Sequence, residues 1–216
     1  MNKTISILAG LAFLLGNLSV QAQDSGKILD QLSSKAKGYT TISAEYTSRL
    51  QDVKADLDMA QEGNIKVKDK KYNLDLPSYN VISDGITVWT YEKENNAVYI
   101  DNLEDVQEDG INPNDLFRIW ETGYKHEFKE TKKEGSTELY WINLYPNDPG
   151  NKPFHTIQLY IDKAKMEINK IKVMNRDGST VTYVVKGFTP NKPLDDSKFK
   201  FNPANHPGVE IIDNRI

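Results

Sequence analysis

Hydrophobic and polar residues alternate with a period of two over most of this chain, most clearly across residues 63–101. That stretch reads as five short strands, with a tight reversal at Asp84 and Gly85, where glycine tolerates positive φ. The strand ending in Val81, Ile82 and Ser83 pairs with one running from Ile86 to Tyr91, a predicted β-hairpin. Trp89 and Tyr91 fall on one face of the second strand, with Ile86 and Val88 on the other. Neither face is built for bulk water, so one covers a core and the other needs apolar cover of its own.

The same period extends in both directions. Ile42, Ala44, Tyr46 and Leu50 alternate with polar residues, and Leu57, Met59, Ile65 and Val67 continue the pattern, which predicts two long strands in a hairpin. Tyr72, Leu74 and Leu76 form a third strand that Pro77 stops. Further strands are predicted over 97–100, 124–130, 138–145, 154–162, 168–175 and 180–188, with a short piece around Phe199 and Phe201. Polar turns join them, Asp177 and Gly178 most clearly, and a proline-rich loop at 146–153 interrupts the series. Strands at this spacing predict a mainly β fold, one antiparallel sheet curled into a barrel or half-barrel. On the strand over 138–145, Leu139, Trp141 and Tyr145 oppose Tyr140, Ile142 and Leu144, so both faces again need cover.

Two segments break the period. Ile28, Leu29, Leu32 and Ala36 share a helical stripe, with Ser25 placed to cap it and Gly38 to end it. A second helix is punctuated by Asn112 as N-cap, Pro113 in the first turn, Asp115 near its start and Gly123 past its end, with Ile111 and Leu116 as a hydrophobic staple. Leu116, Phe117, Ile119 and Trp120 give it a wide apolar arc, which suits either a core helix or a lid over a ligand cavity. Between these segments, Asp101, Glu104, Asp105, Glu108 and Asp109 predict a solvated acidic loop without calcium-loop spacing.

Composition narrows the class. Residues 1–22 have a secretory layout, with Lys3, an apolar run over 5–15, and Val20 and Ala22 at the positions a signal peptidase reads. Cleavage after Ala22 or Gln23 would leave one exported domain over 23–216, since the apolar run falls short of the roughly 20 residues a membrane span requires. The chain has no cysteine, which excludes disulfides, thiol nucleophiles, thiolate metal sites and an N-terminal lipidated cysteine. A net charge of −4 with no basic face argues against nucleic acid. His126, His155 and His206 have no metal-ligand spacing, and no nucleophile elbow or phosphate-binding glycine loop is present, so no catalytic residue, metal or cofactor is expected.

The order of these motifs resembles the LolA family, periplasmic carriers of outer-membrane lipoproteins. The resemblance runs through residues 63–68, Ser83-Asp84-Gly85, Val88, Trp89 and Tyr91, residues 95–98, then Phe199, Phe201, Pro203 and residues 207–213. It implies a half-open antiparallel barrel, with short helices as a lid over an apolar cavity. It also implies acylated lipoproteins as cargo, an inner-membrane lipoprotein-releasing ABC transporter as donor and an outer-membrane receptor as acceptor. The lipid-anchored receptor branch of the fold carries an N-terminal cysteine, so a cysteine-free chain matches the soluble carrier branch, expected as a monomer. In well-known carriers an arginine that helps hold the lid follows the strand ending here at Lys68; this chain has Asp69 there, and the gating role passes to no named residue.

The physical case for a carrier stands beside the resemblance. Burial of acyl chains is worth about 0.8 kcal/mol per CH₂, so chains crossing water without a host cost tens of kcal/mol. A host needs an adaptable apolar lining, for which Leu57, Met59, Ile65, Trp89, Leu116, Phe117 and Trp120 are the candidates, each equally suited to ordinary core packing. The competing function is a periplasmic lipid-binding sensor or adaptor on the same fold, with an enzyme as the remaining class.

Overall fold

The computed structural model describes residues 24–106 and 118–215. The chain opens with helix α1 (Ser25–Ala36) and continues through β1 (Thr41–Asp52), β2 (Leu57–Lys68), β3 (Lys71–Asp75), β4 (Tyr79–Ser83), β5 (Thr87–Glu92) and β6 (Ala97–Asn102). A single helical turn, α2 (Leu103–Val106), follows. After it come β7 (Tyr124–Glu134), β8 (Thr137–Pro146), β9 (Phe154–Asp162), β10 (Glu167–Asn175), β11 (Thr180–Pro190) and β12 (Glu210–Asp213).

All twelve strands form one sheet in the order β12-β6-β5-β4-β3-β2-β1-β11-β10-β9-β8-β7. β7 and β12 are its free edges, so the sheet is a half-open barrel, as the alternation predicts. Its seam is the pairing of β1 with β11, partners far apart in sequence, with a register shift at Glu45 and Tyr46.

Two core clusters occupy the inner face. The first packs Ile28, Leu29 and Leu32 of α1 onto Ile142 and Leu144 of β8, Ile157, Leu159 and Ile161 of β9, and Ile171 and Val173 of β10. The second is built from Ile42, Ala44, Ile65, Val67 and Tyr72, with Leu103 of α2 packed against it. Helix α1 is held at both ends: Ser25 Oγ lies 2.9 Å from His126 Nδ1, and Lys35 Nζ donates to Glu167 Oε1 at 2.7 Å.

The reverse face has its own cover. Over β8 to β10, Trp141 stacks on Tyr160 with centroids 5.6 Å apart, and the Lys170 ammonium sits 4.2 Å from the Tyr160 ring centre. Over β5 and β6 it is the C-terminal segment, where Phe201 and His206 pack on Tyr91 at 5.4 and 4.2 Å and Phe199 is fully buried.

Several local expectations change. Asp24, not Ser25, caps α1, its Oδ1 accepting from the Gly26 N–H at 3.0 Å. The Asp84–Gly85 reversal is present, with Gly85 at φ +94°, but Ile86 belongs to the turn and is 75% exposed, because Asp84 Oδ1 accepts from the N–H groups of both Ile86 and Thr87. Of the predicted acidic loop, Asp101 lies near the end of β6, and Glu104 and Asp105 form the turn of α2, where carboxylates suit a helix N-terminus. The predicted strand at Phe199 and Phe201 is replaced by two 3₁₀ turns, Asp196–Phe199 and Pro203–Asn205, capped by Asp195 and Asn202. The last strand is β12 instead, and it lies parallel to β6, so the sheet is antiparallel everywhere except at that edge. The start of the second predicted helix, with Asn112, Pro113, Asp115, Leu116 and Phe117, lies outside the described residues; Arg118, Ile119 and Trp120 form a turn, and Gly123 has φ +85°.

Candidate functional site

Strand register decides which side chains share a face. Tyr46 pairs with Gly63, Ser48 with Gln61 and Leu50 with Met59 across β1 and β2, while Ser48 and Tyr46 face Tyr183 and Val185 on β11. These pairs point to the same inner face as Ala44 and Ile65. Between the two core clusters the described residues leave a hollow on that face. An apolar groove of about 370 Å³ is lined by Tyr46, Leu50, Met59, Leu74, Leu76 and Tyr183, with Ser48 and Gln61 among its few polar groups. Its volume lies in the range of small-molecule sites.

Its floor depends on one missing side chain. The Tyr46 ring lies over Gly63, where an added Cβ would fall 2.6 Å from both Cζ and Oη and 3.1 Å from Leu76 Cδ2. Only glycine leaves room for that ring, and Tyr183 meets it edge-on at 6.0 Å. Burial pushes the Tyr46 phenol up to about 12 and raises that of Tyr183 as well, so both rings are neutral at physiological pH.

The predicted lining residues separate. Met59 lines the groove and is 60% exposed, while Ile65 is buried outside it, against a smaller pocket on the other side of Tyr46 and Tyr183. Leu57 shares their face at the start of β2 but is not part of the groove wall. Trp120 packs in the first core cluster, its Nε1 donating to Ser33 Oγ of α1 at 2.8 Å. Trp89 pairs with Ile82, which pairs with Asn73 and through it Lys66, so it points to the reverse face, the one that carries Tyr91. Leu116 and Phe117 lie outside the described residues.

Tyr46, Leu50, Leu74, Leu76 and Tyr183 are the large apolar groove residues outside that candidate set. Alternation places them on a face but carries no sign that the face is hollow; the one legible mark is Gly63, a strand glycine of the kind that admits a close approach.

The histidines have structural contacts. His126 meets Ser25, His155 Nδ1 lies 2.8 Å from Thr156 Oγ1, and His206 stacks on Phe201. Among the described residues no cluster of three or more His, Cys, Asp or Glu side chains could hold a metal ion. The groove itself is a largely apolar trough on the inner face of the sheet, suited in shape and polarity to a flexible alkyl ligand.

The family model for "Outer membrane lipoprotein carrier protein LolA" matches residues 37–202. The chain belongs to the LolA family. An uncharacterized conserved protein from Thermus thermophilus shares the LolA-like fold of this chain with a TM-score of 0.58 at 12% identity, covering 89% of this chain and 100% of that one. A LolA superfamily protein from Nitrosomonas europaea aligns with a TM-score of 0.44 at 9% identity, covering 82% and 97%. Lipoprotein LppX from Mycobacterium tuberculosis aligns with a TM-score of 0.46 at 12% identity, covering 79% and 98%. No curated protein matches this LolA-family sequence.

Proposed function

We propose that this chain is an exported, non-enzymatic carrier that binds the acyl chains of lipoproteins released from the inner membrane and shelters them on the way to the outer membrane. The observation that carries the reading is the groove of about 370 Å³ on the inner face, walled by aliphatic and aromatic side chains on a rigid sheet. Family membership supports the class of cargo. On this reading residues 1–22 direct export and are removed, and residues 23–216 work as a monomer in the periplasm. The chain receives cargo from the lipoprotein-releasing ABC transporter and passes it to an outer-membrane receptor. Met59 contributes to the lining, together with Tyr46, Leu50, Leu74, Leu76 and Tyr183.

Each methylene moved from water into the groove is worth about 0.8 kcal/mol, enough for a single chain to be held firmly yet released to a more apolar acceptor. The test is to mix the purified protein with spheroplasts synthesising lipoproteins and fractionate the supernatant. A soluble one-to-one complex with a lipoprotein is the expected result. Lipoproteins that stay in the membrane whatever the concentration of added protein would refute the carrier role.

A further inference from the structure

The apolar tract continues past the floor of the groove. A second, smaller pocket of about 40 Å³, as open to the surface as the groove, adjoins it, walled by Ala44, Ile65, Ile168, Ile171 and Val185 and by the same two rings, Tyr46 and Tyr183. Ile168, Ile171 and Tyr183 belong to the first core cluster or pack against it, and Ala44, Ile65 and Tyr46 do the same for the second. The pocket therefore marks the seam where the two clusters do not interlock, and its lining offers a water almost no hydrogen-bond partner.

Register gives the tract a direction. From the Tyr46–Gly63 pair it runs past Ser48–Gln61 to Leu50–Met59, toward the β1–β2 hairpin end, where Met59 is largely exposed. An alkyl chain lying along that line has its polar end at Met59 and its terminal methyl at the rings.

We propose that Tyr46 and Tyr183 set the length of acyl chain the groove accepts, acting as a partition between the groove and the pocket behind it. The proposal rests on the acyl-carrying reading above. The partition is firm because Tyr46 is wedged over Gly63 beside Leu76, while Tyr183 sits across from Ile171 and meets Tyr46 edge-on. Removing either ring joins the two spaces, and the tract then reaches the aliphatic side chains of β10 and β11. Ring bulk, not the hydroxyl, is the property that acts.

The experiment titrates the purified chain with saturated fatty acids of increasing length and reads binding by calorimetry. In the wild type each added methylene tightens binding by roughly four-fold until a limiting length is reached. In Y46A and Y183A an acid two methylenes beyond that limit binds roughly fifteen-fold more tightly than it does to the wild type. Y46F and Y183F keep the rings and keep the wild-type limit. Where an alanine variant does not fold, Y46L and Y183L move the limit in the same direction by a smaller step. An unchanged limit in folded variants without a ring overturns the partition and leaves carriage standing. Failure of the wild type to bind any of the acids overturns the carrier reading, and the partition with it.

Discussion

Tyr46 and Gly63 depend on one another, and the dependence is measurable. G63A puts a methyl group where the Tyr46 ring lies, so the ring must leave the groove floor; overpacking of this kind costs about 1–3 kcal/mol of stability, read from the midpoint of urea unfolding. In a Y46A background only the Leu76 Cδ2 contact at 3.1 Å remains, so G63A costs less there than in the wild type, a coupling the double-mutant cycle reads directly. The buried phenols also fix the sign of the alkaline response. Tyr46 and Tyr72 are pushed to about 12 in the folded chain, above the ordinary 10.0, so the unfolded chain releases these protons first. Their stabilising contribution is complete below pH 10 and is lost as pH rises toward 12, so the urea midpoint falls over that interval, and Y46F removes the share that belongs to Tyr46. At this scale the sequence was only partly legible. A period of two tells which residues share a face, but not which face is hollow. Trp89 was therefore an equally good candidate for the groove and for the reverse face, because the aromatic residues that cover that face, Phe199 and Phe201, come from the far end of the chain.

At the scale of elements the strands were readable because turn signals bound short runs of alternating or β-rich residues, and Asp84–Gly85 and Asp177–Gly178 carry the turn chemistry their reversals need, both glycines having positive φ. The C-terminal segment was not readable. Its 3₁₀ turns are set by the side-chain caps Asp195 and Asn202, and the parallel pairing of β12 with β6 is a tertiary choice with no local signature. That segment works as a second hydrophobic layer on the reverse face, centred on the fully buried Phe199, and it is tied down by the Asn73 Nδ2 donation to the Lys198 carbonyl at 2.6 Å. F199A should cost about 3–5 kcal/mol in chemical denaturation. Fatty-acid binding by the fraction that stays folded should be unchanged, since the groove lies on the other side of the sheet. At the opposite edge, β7 carries Lys125, Glu127, Lys129, Lys132 and Lys133, charges that discourage another strand from docking there.

Across the whole molecule, one sheet serves two cores that meet incompletely, and the groove is the space between them. α1 packs on the β7–β10 half and Leu103 of α2 on the cluster of β1 to β3, and among the described residues the hollow lies between them, over β1, β2, β3 and β11. This arrangement explains why the half-open barrel was visible in the strand count while the groove was not. A hollow is defined by what fails to fill it, and that follows from the relative placement of elements rather than from any one of them.

The pairing of β12 with β6 also bears on how the chain is made. Five strands, β7 to β11, are synthesised between those two neighbours, so during biogenesis the outer backbone of β6, with Val98 and Ile100, waits unpaired while nearly half the sheet emerges. Over that interval it is an open template for any extended polypeptide nearby.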